Sequence, residues 1–161
     1  MTTLPMQTVD WIDHAPLRVE ARAESTASPD EVFAVLADHA RWPEWFPRVR
    51  KVTVLGPAEG VGARRRVELP GMTVDEEFIV WDPGARWTFT GYEARPRFTR
   101  SLVEDCVLTP LPGGGTAISY TMYMDPVGVM GALVKLSTGQ MRKNNTKAMQ
   151  NLAARAAGDG S

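Results

Sequence analysis

Arg65, Glu76 and Tyr120 are the residues of this chain whose types and spacing best suit chemistry in an enclosed space. If Val67 and Leu69 point inward, alternation sends Arg65 the same way. Across the turn at Gly71-Met72, the matching set on the next strand is Val74, Glu76, Phe78 and Val80. Arg65 and Glu76 then lie within cross-strand reach. An enclosed ion pair adds little stability, because desolvation consumes most of the Coulomb attraction, but it is a good polar anchor for a bound molecule. A register slip or a bulge would instead put both on the solvated outer face, which is the plainer reading, and both placements stay open here. Tyr120 adds a hydroxyl that wants a partner when buried. In a cavity that folds a substrate, an arginine, a carboxylate and a phenol suffice to steady or move protons.

Other chemistry is sparse. The only two histidines are His14, in the strap or flexible segment at the chain start, and His39, just past a helix end. His39 reads most simply as a helix-end cation when protonated. Cys106, the single cysteine, falls in a strand pattern and reads as an inert small hydrophobe; alone it excludes an intrachain disulfide. Glu104 and Asp105 point to opposite faces of that strand, so only one of them is able to face an interior. The chain has no nucleophile elbow, phosphate loop, dinucleotide fingerprint or metal-ligand spacing. The expectation is no metal and no cofactor.

The C-terminal third carries a helical pattern from 126 to about 157, with Asp125 and Pro126 as N-cap and first-turn proline. Its apolar stripe mixes Met130, Val134, Met141 and Leu152 with Ser137, Thr138 and Asn145. Polar groups on a dry core stripe each cost roughly 1–3 kcal/mol without partners, so this face suits the lid of a half-wet cavity. Methionines at 122, 124, 130 and 141 fill irregular space and adapt to varied apolar shapes, though such stripes are more commonly plain core. Gly128, Gly131 and Gly139 either let this helix flex or permit close packing.

The elements that must position these residues follow from periodicity and turn signals. Residues 17–24 alternate and form a half-buried strand. Ser28-Pro29-Asp30-Glu31 opens a helix with a capping box that ends near Asp38, and a second short segment spans 41–46. Strands follow at 48–55, 63–69, 73–81, 86–92, 98–109 and 116–125, with short connections that make neighbours antiparallel. The order predicts an α+β fold in which a curved sheet of about seven strands wraps one long helix. Residues 1–16 form a strap or a flexible segment, and 158–161 should fray.

Composition bounds the function. The 161 residues fit one domain, and a formal net charge of −1 gives no footprint for nucleic acid. No apolar run is long enough to span a membrane, and the first residues lack a basic region followed by an apolar stretch. The expected compartment is the cytoplasm, and the expected assembly a monomer or homodimer. Neither an exposed hydrophobic stripe nor a basic patch is legible.

The run Ser25-Thr26-Ala27-Ser28-Pro29-Asp30-Glu31-Val32-Phe33-Ala34-Val35-Leu36-Ala37-Asp38, followed by Trp42-Pro43-Glu44-Trp45-Phe46-Pro47, resembles the opening of the START-like superfamily. Gly60-Val61-Gly62-Ala63, Glu76-Glu77-Phe78 and Trp81-Asp82-Pro83 agree with it. The resemblance covers residues 17–157 as a single ligand-binding domain and implies a helix-grip fold with a cavity between sheet and helix. Trp42, Trp45 and Phe46 would close the sheet near the entrance or stack on a ringed ligand. Together with parity, it nominates Trp45, Phe46, Arg65, Val67, Glu76, Phe78, Tyr120, Met122, Met130, Val134, Thr138, Met141 and Asn145 as ligand-binding. The implied partner is a hydrophobic or aromatic small molecule resembling a lipid, polyketide or isoprenoid, held by a carrier, sequestering protein or sensor. The alternatives are a polyketide cyclase, aromatase or dehydratase using Arg65, Glu76 and Tyr120, and an interaction protein like the toxins and chaperone regulators of this fold.

Overall fold

In the computed structural model, which describes residues 1–159, the chain starts with a two-residue strand, β1 (Thr2–Thr3). It pairs with Glu93 and Ala94, so the first residues form a strap. Leu4 behind it is 1% exposed, and the Gln7 N–H donates to Thr90 Oγ1. After a 3-10 turn (Val9–His14), β2 (Leu17–Ser25) is the alternating strand read from the sequence.

The capping box at Ser28 and Glu31 closes on itself and starts α1 (Pro29–Ala37), which buries Val32, Phe33 and Leu36. A 3-10 turn leads into α2 (Trp42–Trp45). Six strands follow: β3 (Lys51–Val54), β4 (Arg64–Leu69), β5 (Met72–Asp82), β6 (Arg86–Arg95), β7 (Thr99–Pro110) and β8 (Thr116–Pro126). The sheet runs β2-β8-β7-β6-β5-β4-β3, every neighbour antiparallel, with β1 added on β6. That makes eight strands where about seven were expected, because pairing of β6 with β7 stops at Thr90↔Val103 and the strap takes the vacated edge.

The helix-grip architecture is present, but its last helix is broken. β8 continues to Pro126, so Asp125 and Pro126 end a strand instead of opening a helix, and Val127 is the N-cap. Helix α3 (Gly128–Leu136) stops at Ser137, and α4 (Thr138–Ala156) starts immediately after it. The Ser137 N–H is shared between the Leu133 and Val134 carbonyls. The hydroxyls of Ser137 and Thr138 donate to the Val134 and Lys135 carbonyls. Two successive hydroxyl residues competing for backbone acceptors account for the interruption. Gly131 settles its own role: an added Cβ would sit 2.7 Å from the Pro126 carbonyl carbon and 3.0 Å from Phe98 O, so it permits close packing. Gly139 meets nothing within 4 Å.

At the far end Gly158 (φ 82°) and Asp159 cap the helix: their N–H groups donate to the Arg155 and Ala154 carbonyls, a Schellman motif. Gly160 and Ser161 lie outside the described residues.

The interior divides in two. Around α1, α2 and most of α4, the side chains of Leu36, Trp42, Trp87, Met149 and Leu152 pack into a solid core. A second cluster gathers Leu4, Val19, Val74, Phe98, Leu102 and Met124, with Met130, Val134 and Met141 leaning on it from the helices. The candidate site lies where these two regions meet.

Candidate functional site

A cavity of about 310 Å³ opens between the concave face of the sheet and helices α3 and α4. Its exposed lining residues Arg48, Pro70, Gly71, Leu133 and Ser137 mark the mouth. Arg48 holds φ 74°, a left-handed backbone that an ordinary side chain adopts at some cost. Methionines 72, 122, 124, 130 and 141 cover much of the wall.

Polar groups collect at depth. Antiparallel register opposes Arg65 and Glu76, and both point inward: Arg65 is 1% exposed and its Nε donates to Glu76 Oε2 at 2.7 Å. The outer-face placement of this pair is therefore excluded. The guanidinium carbon lies 4.0 Å from the Trp42 ring centroid and 4.9 Å from that of Trp87, a cation held against aromatic faces. Its Nη1 is 3.2 Å from His39 Nδ1, while His39 Nε2 is 2.9 Å from the Ala58 carbonyl oxygen. A carbonyl only accepts, so Nε2 carries the ring proton and Nδ1 accepts from Arg65. Burial, and then the charge of Arg65, push the His39 pKa down to about 4. His39 is thus a buried neutral acceptor that orients Arg65, which corrects its reading as a helix-end cation.

Glu104 completes the cluster from β7. It is buried and lines the cavity beside Tyr120, whose hydroxyl donates to its Oε2. Burial first, then repulsion from Glu76, hold the Glu104 carboxyl well above the ordinary range, against the opposing attraction of Arg65. Burial also raises Glu76, with Arg65 pulling the other way. The two carboxyls therefore differ in kind: Glu76 has a cationic partner in contact and Glu104 has a neutral one. Asp105 points to the opposite face, where Arg86 and Thr88 bind it.

Of the nominated residues, Phe46, Arg65, Val67, Glu76, Tyr120, Met122, Met130, Val134, Met141 and Asn145 line the cavity. Trp45, Phe78 and Thr138 do not. Trp45 packs against Trp42 and Phe46, and its carbonyl accepts from Asn151. Phe78 is enclosed by Trp81, Trp87 and Phe89. The Thr138 hydroxyl is spent on the helix break. Trp42 and Trp45 are buried in the core and not at the mouth. A register shift between Phe78 and Val80 turns Val80 out of the inward set and brings Trp81 against His39 and Phe33.

Of Glu104 and Asp105, between which the sequence left the choice open, Glu104 is the one that faces the cavity. Its signal was present in the alternation of Leu102, Glu104, Cys106 and Leu108, all buried on one face. Cys106, fully buried with its thiol pKa raised by that burial, is inert. The outer face of α3 also departs from expectation: Val129, Leu133 and Leu136 are 80%, 52% and 85% exposed, an apolar stripe beside the cavity mouth. Among the described residues, no cluster of histidine, cysteine and carboxylate side chains is able to hold a metal ion. No helix among them is long and apolar enough to cross a membrane.

Residues 16–157 match the family described as polyketide cyclase / dehydrase and lipid transport. An uncharacterized protein of Mycobacterium tuberculosis is 34% identical over 116 residues, covering 71% of this chain and 69% of that protein. Its Mycobacterium bovis counterpart matches equally. Among solved structures, a Zhui aromatase/cyclase from a Streptomyces species superposes with a TM-score of 0.73 at 18% identity, covering 87% of this chain and 93% of that one. A Thermus thermophilus protein gives 0.74 at 22% identity over 90% of this chain and all (100%) of the other. A START superfamily protein from Mycobacterium smegmatis gives 0.70 at 14% identity, covering 86% and 97%. At these identities the structures speak for the fold.

Proposed function

The chain belongs to the polyketide cyclase / dehydrase and lipid transport family, and from that membership we propose that it binds an apolar or aromatic small molecule in the cavity beneath α3 and α4, as a carrier, sequestering protein or sensor in the cytoplasm. The observation that carries this reading is the lining: a wall of methionine and aliphatic side chains with its few polar groups gathered at one end. Affinity comes from burial, about 0.8 kcal/mol for each methylene enclosed, and orientation comes from the buried polar groups. Methionine walls fit ligands of varied shape.

A second reading rests on one further observation. Glu104 and Tyr120 put a carboxyl whose pKa burial raises and a phenol side by side in the wall, while Glu76 stands with Arg65. Two carboxyls whose surroundings differ in this way are a pattern for acid and base roles. A polyketide-like chain folded into the cavity would meet both, which makes a cyclase, aromatase or dehydratase the alternative.

Native mass spectrometry of protein purified from its own host, followed by extraction and identification of the bound species, tests these readings. A stoichiometric apolar or aromatic molecule recovered unchanged after incubation supports the binder. Its conversion to a product that leaves the protein supports the enzyme. Recovery of only polar or no molecules, together with failure to take up added apolar ligands, contradicts both.

A further inference from the structure

The two carboxyls buried around the cavity are unequally partnered by direct contacts. Arg65 contacts Glu76, leans on Trp42 and donates to His39. Glu104, 7% exposed, takes one hydrogen bond from Tyr120, and its other oxygen has no hydrogen-bond partner among the described residues. Tyr120 bonds it, Met122 from β8 and Phe89 from β6 oppose it in register, and Glu76 from β5, Arg65 from β4 and Asn145 from α4 line the same cavity. Asn145 donates to Met122 Sδ, and His39 is neutral behind Arg65. On the other face of the sheet, Asp105 and Arg86 satisfy each other. No cation makes a hydrogen bond or ion pair with Glu104 among the described residues, and after burial itself the like charge of Glu76 acts on it most, opposed by Arg65.

We infer that the cavity takes an apolar or aromatic molecule carrying one amine, and that the protonated amine of this ligand pairs with the free oxygen of Glu104. The inference rests on the cavity being a ligand site, as proposed above, and names the class of molecule. A carboxylate-bearing ligand would face two buried carboxyls and is disfavoured. A metal ion is poorly served, since a guanidinium occupies the same cluster and no third carboxylate, histidine or thiol completes a coordination set among the described residues. An ammonium needs only one carboxylate oxygen and an apolar enclosure for its carbon skeleton, and the surrounding aromatic rings and thioethers tolerate a neighbouring cation.

Proton balance follows. Burial, and then the like charge of Glu76, favour the protonated form of Glu104 in the empty cavity, against the attraction of Arg65. When the ammonium enters, the Glu104 O–H bond breaks, its electron pair stays on the carboxylate, and the proton leaves to solvent. The amine keeps its own proton, as an alkyl ammonium does below about pH 10. One ligand in therefore means one proton out. Affinity for the amine rises with pH, by up to about tenfold per unit, until Glu104 of the empty protein is itself ionised.

Titration calorimetry of the full chain with 2-(1-naphthyl)ethylamine, 2-(1-naphthyl)ethanol and 1-naphthylacetic acid, each in two buffers of different ionisation enthalpy, tests the inference. The amine should bind at least about tenfold more tightly than the alcohol and release one proton, and the acid should bind weakest. Glu104→Gln, with its fold checked by thermal unfolding, should bring amine and alcohol to within about threefold of each other and release no proton. Equal binding of amine and alcohol with no proton released overturns the amine inference and leaves the apolar cavity standing. Failure of all three to bind overturns both. The comparison among ligands on the unmodified protein stands whether or not the variant folds.

Discussion

The Arg65 Nε lies 2.7 Å from Glu76 Oε2, on residues in direct register across β4 and β5, with side chains 1% and 6% exposed. An ion pair this enclosed is poor at stabilising a fold, yet breaking it leaves a buried charge without its partner. Glu76→Ala should lower unfolding free energy by about 3–5 kcal/mol in urea titration. The double substitution of Arg65→Met with Glu76→Leu should recover most of that loss. A single substitution that costs less than about 1 kcal/mol would mean that the pair is hydrated.

His39 makes stability depend on acid. Its folded pKa, near 4, lies below its ordinary 6.5, so the unfolded chain binds the extra proton first. Its contribution is complete above the ordinary value and is lost as pH falls from there towards 4, by up to about 3 kcal/mol in all. Urea midpoints measured across this window should fall with pH, and His39→Gln should flatten the slope.

Glu104 acts in the opposite direction. Its raised folded pKa means that the native state holds a proton the unfolded chain releases. That contribution is full below the ordinary carboxylate value and is lost as pH rises through the folded one. Glu104→Gln should therefore remove a decline in stability on the alkaline side and leave the His39 slope intact. The variant is read by the same urea series.

Two glycines separate packing from flexibility. Gly131→Ala forces a Cβ against backbone atoms at 2.7 and 3.0 Å and should cost about 1–3 kcal/mol. Gly139→Ala has open space around it in α4 and should stabilise by up to about 1 kcal/mol. Thermal unfolding of the two variants should move in opposite directions.

Much of this was legible in the chain itself. The capping box at Ser28 and Glu31, the alternation of β2 and the turn signals between strands are local, and each acted as read. The same parity that turned Arg65 and Glu76 inward also held Val74 and Phe78, and failed one step later at the bulge before Val80. Bulges depend on how neighbouring strands curve, which no single strand encodes. The break at Ser137 escaped because a hydroxyl pair inside a helical pattern reads as polar stripe before it reads as a competitor for carbonyls. Glu104 lay in a legible alternation, but its partner Tyr120 is 16 residues away across a hairpin, and only three-dimensional register joins them.

The central claim is that the space beneath α3 and α4 takes up an apolar molecule. Amide and methyl chemical shifts of isotope-labelled protein titrated with 2-(1-naphthyl)ethanol test it most directly, with Val134→Trp as a variant whose larger side chain fills the cavity. Saturable shifts are expected at Val67, Leu102, Met122, Val134 and Met141, abolished in the filled variant while its fold persists. Shifts confined to the exposed face of α3 or the outer face of the sheet, unchanged by Val134→Trp, would contradict it.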